Sequence, residues 1–341
     1  MRLLITRGNS PAPVVGRGST MSEQQHEQVR RWIEEYAHPL DTYDPAAPLD
    51  DLRSLAPLIG EAQVVAVGVS AREAREPAAL QHRVVRLLVE EHGFRSVALE
   101  GDDPARLGLD TYVRTGEGDP RAMLGPARSF LRTEEVLTLV EWMRAYNARF
   151  PDDPVRFMTP ALTTSALPPG GLAGIERRLA EDTIRWHAES GHRTVYWGGI
   201  GHTAVGSPRT VSPAPAASPP LTHRNAGSYV REHFGTGYVS LGVTFHHGRL
   251  SYSASVPVPP PDFAESVLDA VAPAAYYVTD LRTGPPPGPV RDWLHTPTRT
   301  RLVGPAYDPT DDQDHHLSGG ALADWFDALV HVREVTPAQL L

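Results

Sequence analysis

Residues 64–105, VVAVGVSAREAREPAALQHRVVRLLVEEHGFRSVALEGDDPA, decide the fold class of this chain. The opening run VVAVG (64–68) is short, β-branched and closed by a glycine, which is typical of a strand buried on both faces. The run LQHRVVRLLVEEHG (80–93) repeats its apolar residues every three or four positions and ends at Gly93, so it predicts a helix with a glycine cap. SVALE (96–100) predicts a second buried strand. This alternation indicates parallel strands joined by right-handed crossovers.

The alternation extends outward in both directions. Ser22 and Gln25 form a capping box for a helix that ends before Pro39, and Asp103 followed by Pro104 is typical of a helix start. The other predicted elements are helices at 52–59, 133–150, 172–190, 227–233, 263–271 and 322–329, strands at 155–158, 194–199, 238–245, 250–256 and 276–279, a surface loop at 207–222 and a Pro-rich turn at 284–289.

These elements predict an α/β fold with three α/β/α layers and a mostly parallel central sheet. The absence of a composition break predicts a single domain over residues 22–338. We interpret residues 1–21 as a disordered leader or a mis-called start, because the segment lacks the apolar run of a signal peptide.

Composition excludes several classes of function. The 341 residues carry a formal net charge of −9, which disfavours nucleic acid and anionic membranes as partners. No apolar stretch approaches the roughly 20 residues that span a bilayer. The chain has no cysteine, so disulfides, thiolate metal sites and a cysteine nucleophile are ruled out. We expect a cytoplasmic protein without a cofactor, whose partner is a small-molecule ligand; its oligomeric state is open.

The candidate site follows from the predicted sheet, because ligands bind beyond the carboxyl ends of parallel strands. Polar and aromatic side chains lie at or after three predicted strand ends. We predict Glu100 and His202 as catalytic residues. The predicted substrate-binding residues are Arg72, Glu73, Glu76, Asp102 and Trp197.

The order of these segments resembles the erythromycin esterase family. Residues 64–105 are similar to its N-terminal motif, and the similarity continues through TEEVLTLVEWMRAYN, VRFM, VYWGGIGHTAVG, AGSYVREHFGTGYVSLGVTFHHG and WFDALVHV. Together these segments cover about residues 25–335. The resemblance implies an erythromycin-esterase-like fold and a carboxylic ester hydrolase that activates water to open a macrolactone.

The same resemblance exposes departures from the family pattern. After the first strand the family has Gly-Glu-x-x-His-Gly, where this chain has Val69, Arg72 and Glu73 in place of the glutamate, the histidine and the second glycine. Gln81 replaces an arginine of the following helix. After the fourth strand the family has Trp-x-His-Asn-x-His, and here the first histidine is Gly199.

Two family positions are kept, Glu100 and His202, which is the second histidine of the later motif. Because Val69 cannot accept a proton and an arginine guanidinium stays protonated in proteins, neither Val69 nor Arg72 can serve as a base. We therefore expect the inherited hydrolysis to be lost or altered. Residues 159–194 provide room for one helix where the family has a long helical insert, which predicts a reduced insert.

Structural roles compete with these assignments. Glu100 could cap the next helix, Arg72 and Glu100 could form a structural ion pair, His202 could be a buried structural residue, and Glu76 could pair with its solvated neighbour Arg75. Other features give weaker signals. The glycines 198, 199 and 201 lack the helix start that phosphate binding needs, and the histidine pairs 246–247 and 315–316 lack metal-ligand spacing, so no metal site is predicted.

Three functions remain open. The first is an enzyme that acts on a macrolide, lactone or polyketide-like molecule, in antibiotic response or secondary metabolism of a bacterium. The second is a non-catalytic binding protein or pseudoenzyme. The third is a slow macrolide esterase.

Overall fold

The computed structural model describes residues 21–160, 169–206, 209–211, 221–251, 255–270, 273–282, 288–304 and 307–341. Its helices are α1 Glu23–Tyr36, α2 Ala56–Ile59, α3 Arg75–His92, α4 Leu109–Thr115, α5 Pro120–Leu124, α6 Glu134–Arg149, α7 Gly171–Ser190, α8 Ile200–Thr203, α9 Ala226–Phe234, α10 Ala264–Ala270, α11 Pro289–His295 and α12 Leu322–Trp325. Its strands are β1 His38–Pro39, β2 Val64–Val69, β3 Ser96–Leu99, β4 Arg156–Phe157, β5 Thr194–Gly199, β6 Arg209–Val211, β7 Leu221–His223, β8 Tyr238–Arg249, β9 Ser255–Val256, β10 Tyr276–Asp280, β11 Thr298–Arg301, β12 His316–Gly320 and β13 Ala328–Val335.

The main sheet confirms the predicted α/β fold with a mostly parallel sheet. In the described part of the chain its strands run in the order β1-β10-β13-β8-β2-β5-β3-β4, and β9 pairs with the end of β8. The pairs from β13 to β4 are parallel, whereas β1, β10 and β9 pair antiparallel. This order places β2 near the centre of the sheet.

Helices pack on both faces of this sheet. Alternate side chains of β2 point to opposite faces, and Val65 and Val67 join the core formed with α3 and α6. Val64 and Ala66 join a second core formed with α7 and α9. Burial on both faces explains why the strand is a continuous apolar run.

The first predicted strand, helix and strand match the structure closely. The predicted capping box is present at Ser22 and Gln25. Helix α3 ends at Gly93, whose φ of 71° is a left-handed conformation that glycine adopts without strain. Between β4 and β5 the described residues form one helix, α7.

The helix predicted to begin at Pro104 begins instead at Leu109. Asp103 accepts a hydrogen bond from the backbone N–H of Ala105 at 2.9 Å, which stabilises a turn. Gly108 then has a φ of 84°, so the backbone cannot be helical through this residue.

The helix predicted over residues 322–329 is also wrong. Helix α12 ends at Trp325, and residues 328–335 form β13, a parallel neighbour of β8. Short apolar runs fit a helix or a strand equally well by periodicity, and here sheet pairing decides the conformation.

A second sheet was absent from the sequence prediction. It contains four antiparallel strands in the order β11-β12-β6-β7. The described ends of the predicted loop at 207–222 therefore lie in strands β6 and β7, because β12 supplies hydrogen-bond partners that are remote in sequence. Parts of three predicted segments lie outside the described residues. They are residues 1–20 of the leader, residues 207–208 and 212–220 of the loop, and residues 284–287 of the Pro-rich turn. No helix in the described part of the chain is long and apolar enough to cross a membrane.

Candidate ligand site

The candidate site forms where three parallel strands end together. Val69 of β2 lies opposite Gly199 of β5, and Leu99 of β3 lies opposite Trp197 of β5. Glu100 directly follows β3, and helix α8 begins immediately after β5. The sheet therefore brings the residues after β2, β3 and β5 to one edge, as expected for parallel strands.

Arg72 is fixed on three sides at this edge. Its Nη2 donates a hydrogen bond to Oε1 of Glu100. Its Cζ lies 4.4 Å from the centroid of the Phe130 ring, within the range of a cation–π contact. On another side lies Gly199, where an added Cβ would be 2.9 Å from Nη2. The missing side chain at position 199 makes room for the guanidinium.

Glu100 connects Arg72 to His202. The carboxylate is buried, and its Oε1 lies 3.3 Å from Nε2 of His202. Its Oε2 accepts a hydrogen bond from the backbone N–H of Gly199 at 3.2 Å. A Cβ at Gly198 would lie 2.3 Å from Oε2, so the glycine lets the carboxylate approach the strand.

His202 has a second carboxylate partner that the sequence analysis missed. Its Nδ1 lies 2.9 Å from Oε1 of Glu176, a fully buried residue of α7. Oε2 of Glu176 accepts the backbone N–H of Ala226 at 2.8 Å, and Nε2 of His223 lies 3.5 Å from Oε1. Glu176 thus has contacts that hold it against the imidazole. The sequence around Glu176 does not distinguish it from other acidic residues of a helix, so it does not indicate a contact with His202.

Two effects on the pKa of His202 oppose each other. Burial favours the neutral ring, but the carboxylates of Glu100 and Glu176 outweigh it and raise the pKa above its usual value. With His202 protonated, Arg72, Glu100, His202 and Glu176 form a row of alternating charges. In such a row each buried charge lies next to a charge of opposite sign.

The space enclosed beside this row is small. The cavity measures about 20 Å³, which is close to the room needed by one water-sized group. Its walls are formed by Val69, Arg72, Ala78, Gln81, Glu100, Phe130, Leu131, Thr133, Val136, Trp197 and Gly198. Gln81 donates from Nε2 to the carbonyls of Val67 at 2.6 Å and Gly198 at 3.1 Å, so it fixes two strands below the cavity.

The other predicted binding residues lie in different surroundings. Glu73 is buried next to Arg72 in sequence; burial raises the pKa of its carboxyl, against the opposing charge of Arg72. Both oxygens of Glu76 bind Thr336, at 2.7 Å each. Oδ1 of Asp102 accepts hydrogen bonds from Arg106 and from the N–H of Asp103.

The structure therefore brings Arg72, Glu100 and His202 into one connected row and places Trp197 in the cavity wall. Glu76 and Asp102 bind protein groups outside that row. The roles of all these residues in binding or catalysis remain predictions.

Tyr196 is a further polar group near the row that the sequence analysis did not select. Its side chain is buried, and its hydroxyl has no hydrogen-bond partner among the described residues. Burial first, and then the charges of Glu100 and Glu176, raise the pKa of this phenol. The Tyr196 ring packs in the core formed with α7 and α9 and is not part of the cavity lining.

The described residues contain no group of three or more histidine, aspartate or glutamate side chains arranged to hold a metal ion. His246 and His247 face each other with their Nδ1 atoms 2.9 Å apart. Burial first, and then the charge of His247 and other neighbours, outweigh the Asp269 carboxylate and lower the pKa of His246 to about 4.

The chain is similar in sequence to a known protein family and to one of its members. The erythromycin esterase family model matches residues 89–159 and 176–335. Erythromycin esterase type II of Escherichia coli is 27% identical over 120 residues, which is 35% of this chain and 28% of that protein. The match thus spans less than a third of that relative.

Solved structures show the same fold. A Bacillus cereus protein is 21% identical with a TM-score of 0.75, covering 93% of this chain and 99% of that one. A succinoglycan biosynthesis protein is 20% identical with a TM-score of 0.77, covering 94% and 100%. A mutant erythromycin esterase in its open conformation is 10% identical with a TM-score of 0.63, covering 87% and 97%.

Proposed function

The chain belongs to the erythromycin esterase family, and on that premise we propose that it binds a small organic molecule without the family's water-activating machinery. The binding site is the edge formed by the ends of β2, β3 and β5. One observation carries the proposal: the Arg72 guanidinium lies against Gly199 and on Phe130, bonded to Glu100. It occupies space where the family pattern has histidine side chains.

Ester hydrolysis needs a group that takes a proton from water near the working pH. Val69 has no group that accepts a proton, and the guanidinium of Arg72 stays protonated in proteins, so neither can do this. His202 could, but its Nδ1 faces Glu176 at 2.9 Å and its Nε2 faces Glu100 at 3.3 Å. These two carboxylates favour the protonated imidazole, which donates protons rather than accepting them.

Arg72 is well suited to binding oxygen atoms of a ligand. Its guanidinium carries only donors, and its side chain lines the cavity. Charge-assisted hydrogen bonds of this kind are roughly twice as strong as neutral ones. A macrolide, lactone or polyketide-like molecule presents carbonyl, ester and hydroxyl oxygens to such donors.

A thermal-shift screen of the full chain against macrolides and lactones tests the proposal, because a ligand that binds only the folded state raises the Tm. Any ligand that is found is then incubated with the protein and its mass is measured. A raised Tm without the mass of an added water supports the proposal, and hydrolysis of the ligand contradicts it. Arg72→Ala should abolish the shift, whereas Arg31→Ala on the exposed face of α1 should preserve it.

A retained esterase is the second candidate, because Glu176 orients His202 as a carboxylate orients a catalytic histidine. This candidate predicts slow ring opening that rises with pH as His202 loses its proton. Glu176→Gln and His202→Ala should then both reduce the rate. Ring opening that is unchanged in both variants would exclude this pair as its source.

A further inference from the structure

We propose that the ligand carries a carboxylate group and that Arg72 is the residue that selects it. The inference rests on the function proposed above, since it names the chemistry of the molecule bound at the same site. It follows from the donors that Arg72 leaves unused, from the size of the adjacent cavity and from the balance of charge around the guanidinium.

The first argument is the count of donors. A guanidinium has five N–H groups in a fixed plane, and Arg72 uses Nη2 for a hydrogen bond to Glu100. Its Nε and Nη1 have no hydrogen-bond partner within the described ranges, and 24% of the side chain is exposed. Free N–H groups of a guanidinium donate charge-assisted hydrogen bonds to carboxylate oxygens.

The second argument is rigidity. Phe130 covers one side of the guanidinium, Gly199 lies against it and Glu100 holds Nη2. A side chain that is already fixed loses little conformational freedom when a ligand binds, which increases affinity. By contrast, the exposed Arg31 on α1 has 73% of its side chain in solvent.

The third argument is space. The cavity beside Arg72 measures about 20 Å³ and so accepts a head group rather than a ring. A carboxylate at the end of a larger molecule meets this limit, because the rest of the molecule stays outside the cavity. An intact macrolactone carries its ester within the ring and presents a wider group to the same cavity, so we expect it to bind more weakly.

The fourth argument is charge, which favours a single negative charge over a phosphate. Arg72, and His202 when it is protonated, face the carboxylates of Glu100 and Glu176, so the row has no large positive excess. Glu73, which is buried, adds a further acidic group close to Arg72. A phosphate, with nearly two charges at neutral pH, would meet more repulsion here than a carboxylate.

A matched pair of probes tests the proposal. Erythromycin and its ring-opened hydroxy acid differ by one water, and only the second carries a carboxylate. Isothermal titration of the full chain should show the hydroxy acid binding at least about tenfold more tightly than the lactone, the effect of one charge-assisted hydrogen bond. Arg72→Gln should weaken binding of the hydroxy acid by at least about tenfold and remove its preference over the lactone. Cooperative thermal unfolding of the variant without ligand checks separately that it is folded.

Arg72→Lys should keep part of the preference, because a lysine retains the charge but not the planar donors. Inorganic phosphate is the comparison anion and should compete more weakly than acetate. Equal or tighter binding of the lactone by the wild-type protein would overturn the carboxylate proposal and leave the binding function intact. A preference that persists in Arg72→Gln, or stronger competition by phosphate, would overturn it as well. Binding of neither probe would count against both proposals.

Discussion

Gly199→Ala should destabilise the protein only when Arg72 is present. Gly199 has φ −95° and ψ 150°, which alanine adopts without strain, so the effect comes from the new methyl group alone. That methyl would lie 2.9 Å from Nη2 and 3.1 Å from Nε of Arg72. The guanidinium must then shift by a few tenths of an ångström, away from Glu100 and from the Phe130 ring.

The size of the effect follows from these contacts. A hydrogen bond between charged groups contributes about 1.5–3 kcal/mol, and a partly exposed cation–π contact about 0.5–1 kcal/mol. Partial loss of both is offset by the gain of about 0.5–1 kcal/mol when alanine replaces glycine in a strand. We expect a net loss of about 1–2 kcal/mol in the free energy of unfolding. In the Arg72→Ala background the obstacle is gone and Gly199→Ala should be neutral or slightly stabilising.

The measurement is a double-mutant cycle by urea unfolding, with wild type, both single variants and the double variant. Gly201→Ala is the matched control, because its Cβ would lie 3.4 Å from Leu302, an ordinary contact. Its effect should add to that of Arg72→Ala within about 0.5 kcal/mol. If Gly199→Ala is equally additive, Arg72 does not occupy the space beside residue 199, and the central argument for the site is wrong.

Three further predictions concern titration and burial. Glu176→Gln should lower the pKa of His202, measured by NMR titration of the ring, because it removes one of two carboxylates that raise that pKa; an unchanged pKa would contradict the contact. Burial lowers the pKa of His82 from 6.5 to about 3. As the pH is lowered through this range, the unfolded chain takes up the proton before the folded protein does, so the free energy of unfolding decreases. His82→Phe should reduce the dependence of the free energy of unfolding on pH by up to about 1.4 kcal/mol per pH unit, measured by urea unfolding at several pH values. The same pH dependence in the variant and the wild type would refute this prediction. Asp51→Asn should cost about 3–5 kcal/mol, because it leaves the fully buried Arg83 without its carboxylate; a cost below about 1 kcal/mol would contradict this.

Much of the fold was predictable because its signals are local. The run of β-branched residues at 64–69, the helical periodicity of α3 and the glycine that ends it all lie within a few residues of one another. Strand β13 was mistaken for a helix because its conformation depends on pairing with β8 and β10, which are distant in the sequence. The four-stranded second sheet was missed for the same reason.

The site was predictable to a different extent. Arg72, Glu100 and His202 follow from the rule that polar residues after parallel strands share an edge, together with the family pattern. Glu176 could not be predicted, because a helix of twenty residues carries several acidic side chains and only packing shows which one is buried against His202. Phe130 contacts Arg72 from a short 3₁₀ turn that no periodic pattern marks.

In the folded protein, the residues that depart from the family pattern compensate for one another in charge and in volume. Val69 and Gln81, which replace a glutamate and an arginine, are both neutral and line the same cavity. Arg72 fills the space that Gly199 leaves, and its charge meets Glu100. Random loss of catalytic side chains would leave unpaired buried charges or an empty cavity, each of which destabilises a fold. Substitutions that compensate in charge and in volume instead support the proposal of a site that is maintained for binding and donates hydrogen bonds to its ligand.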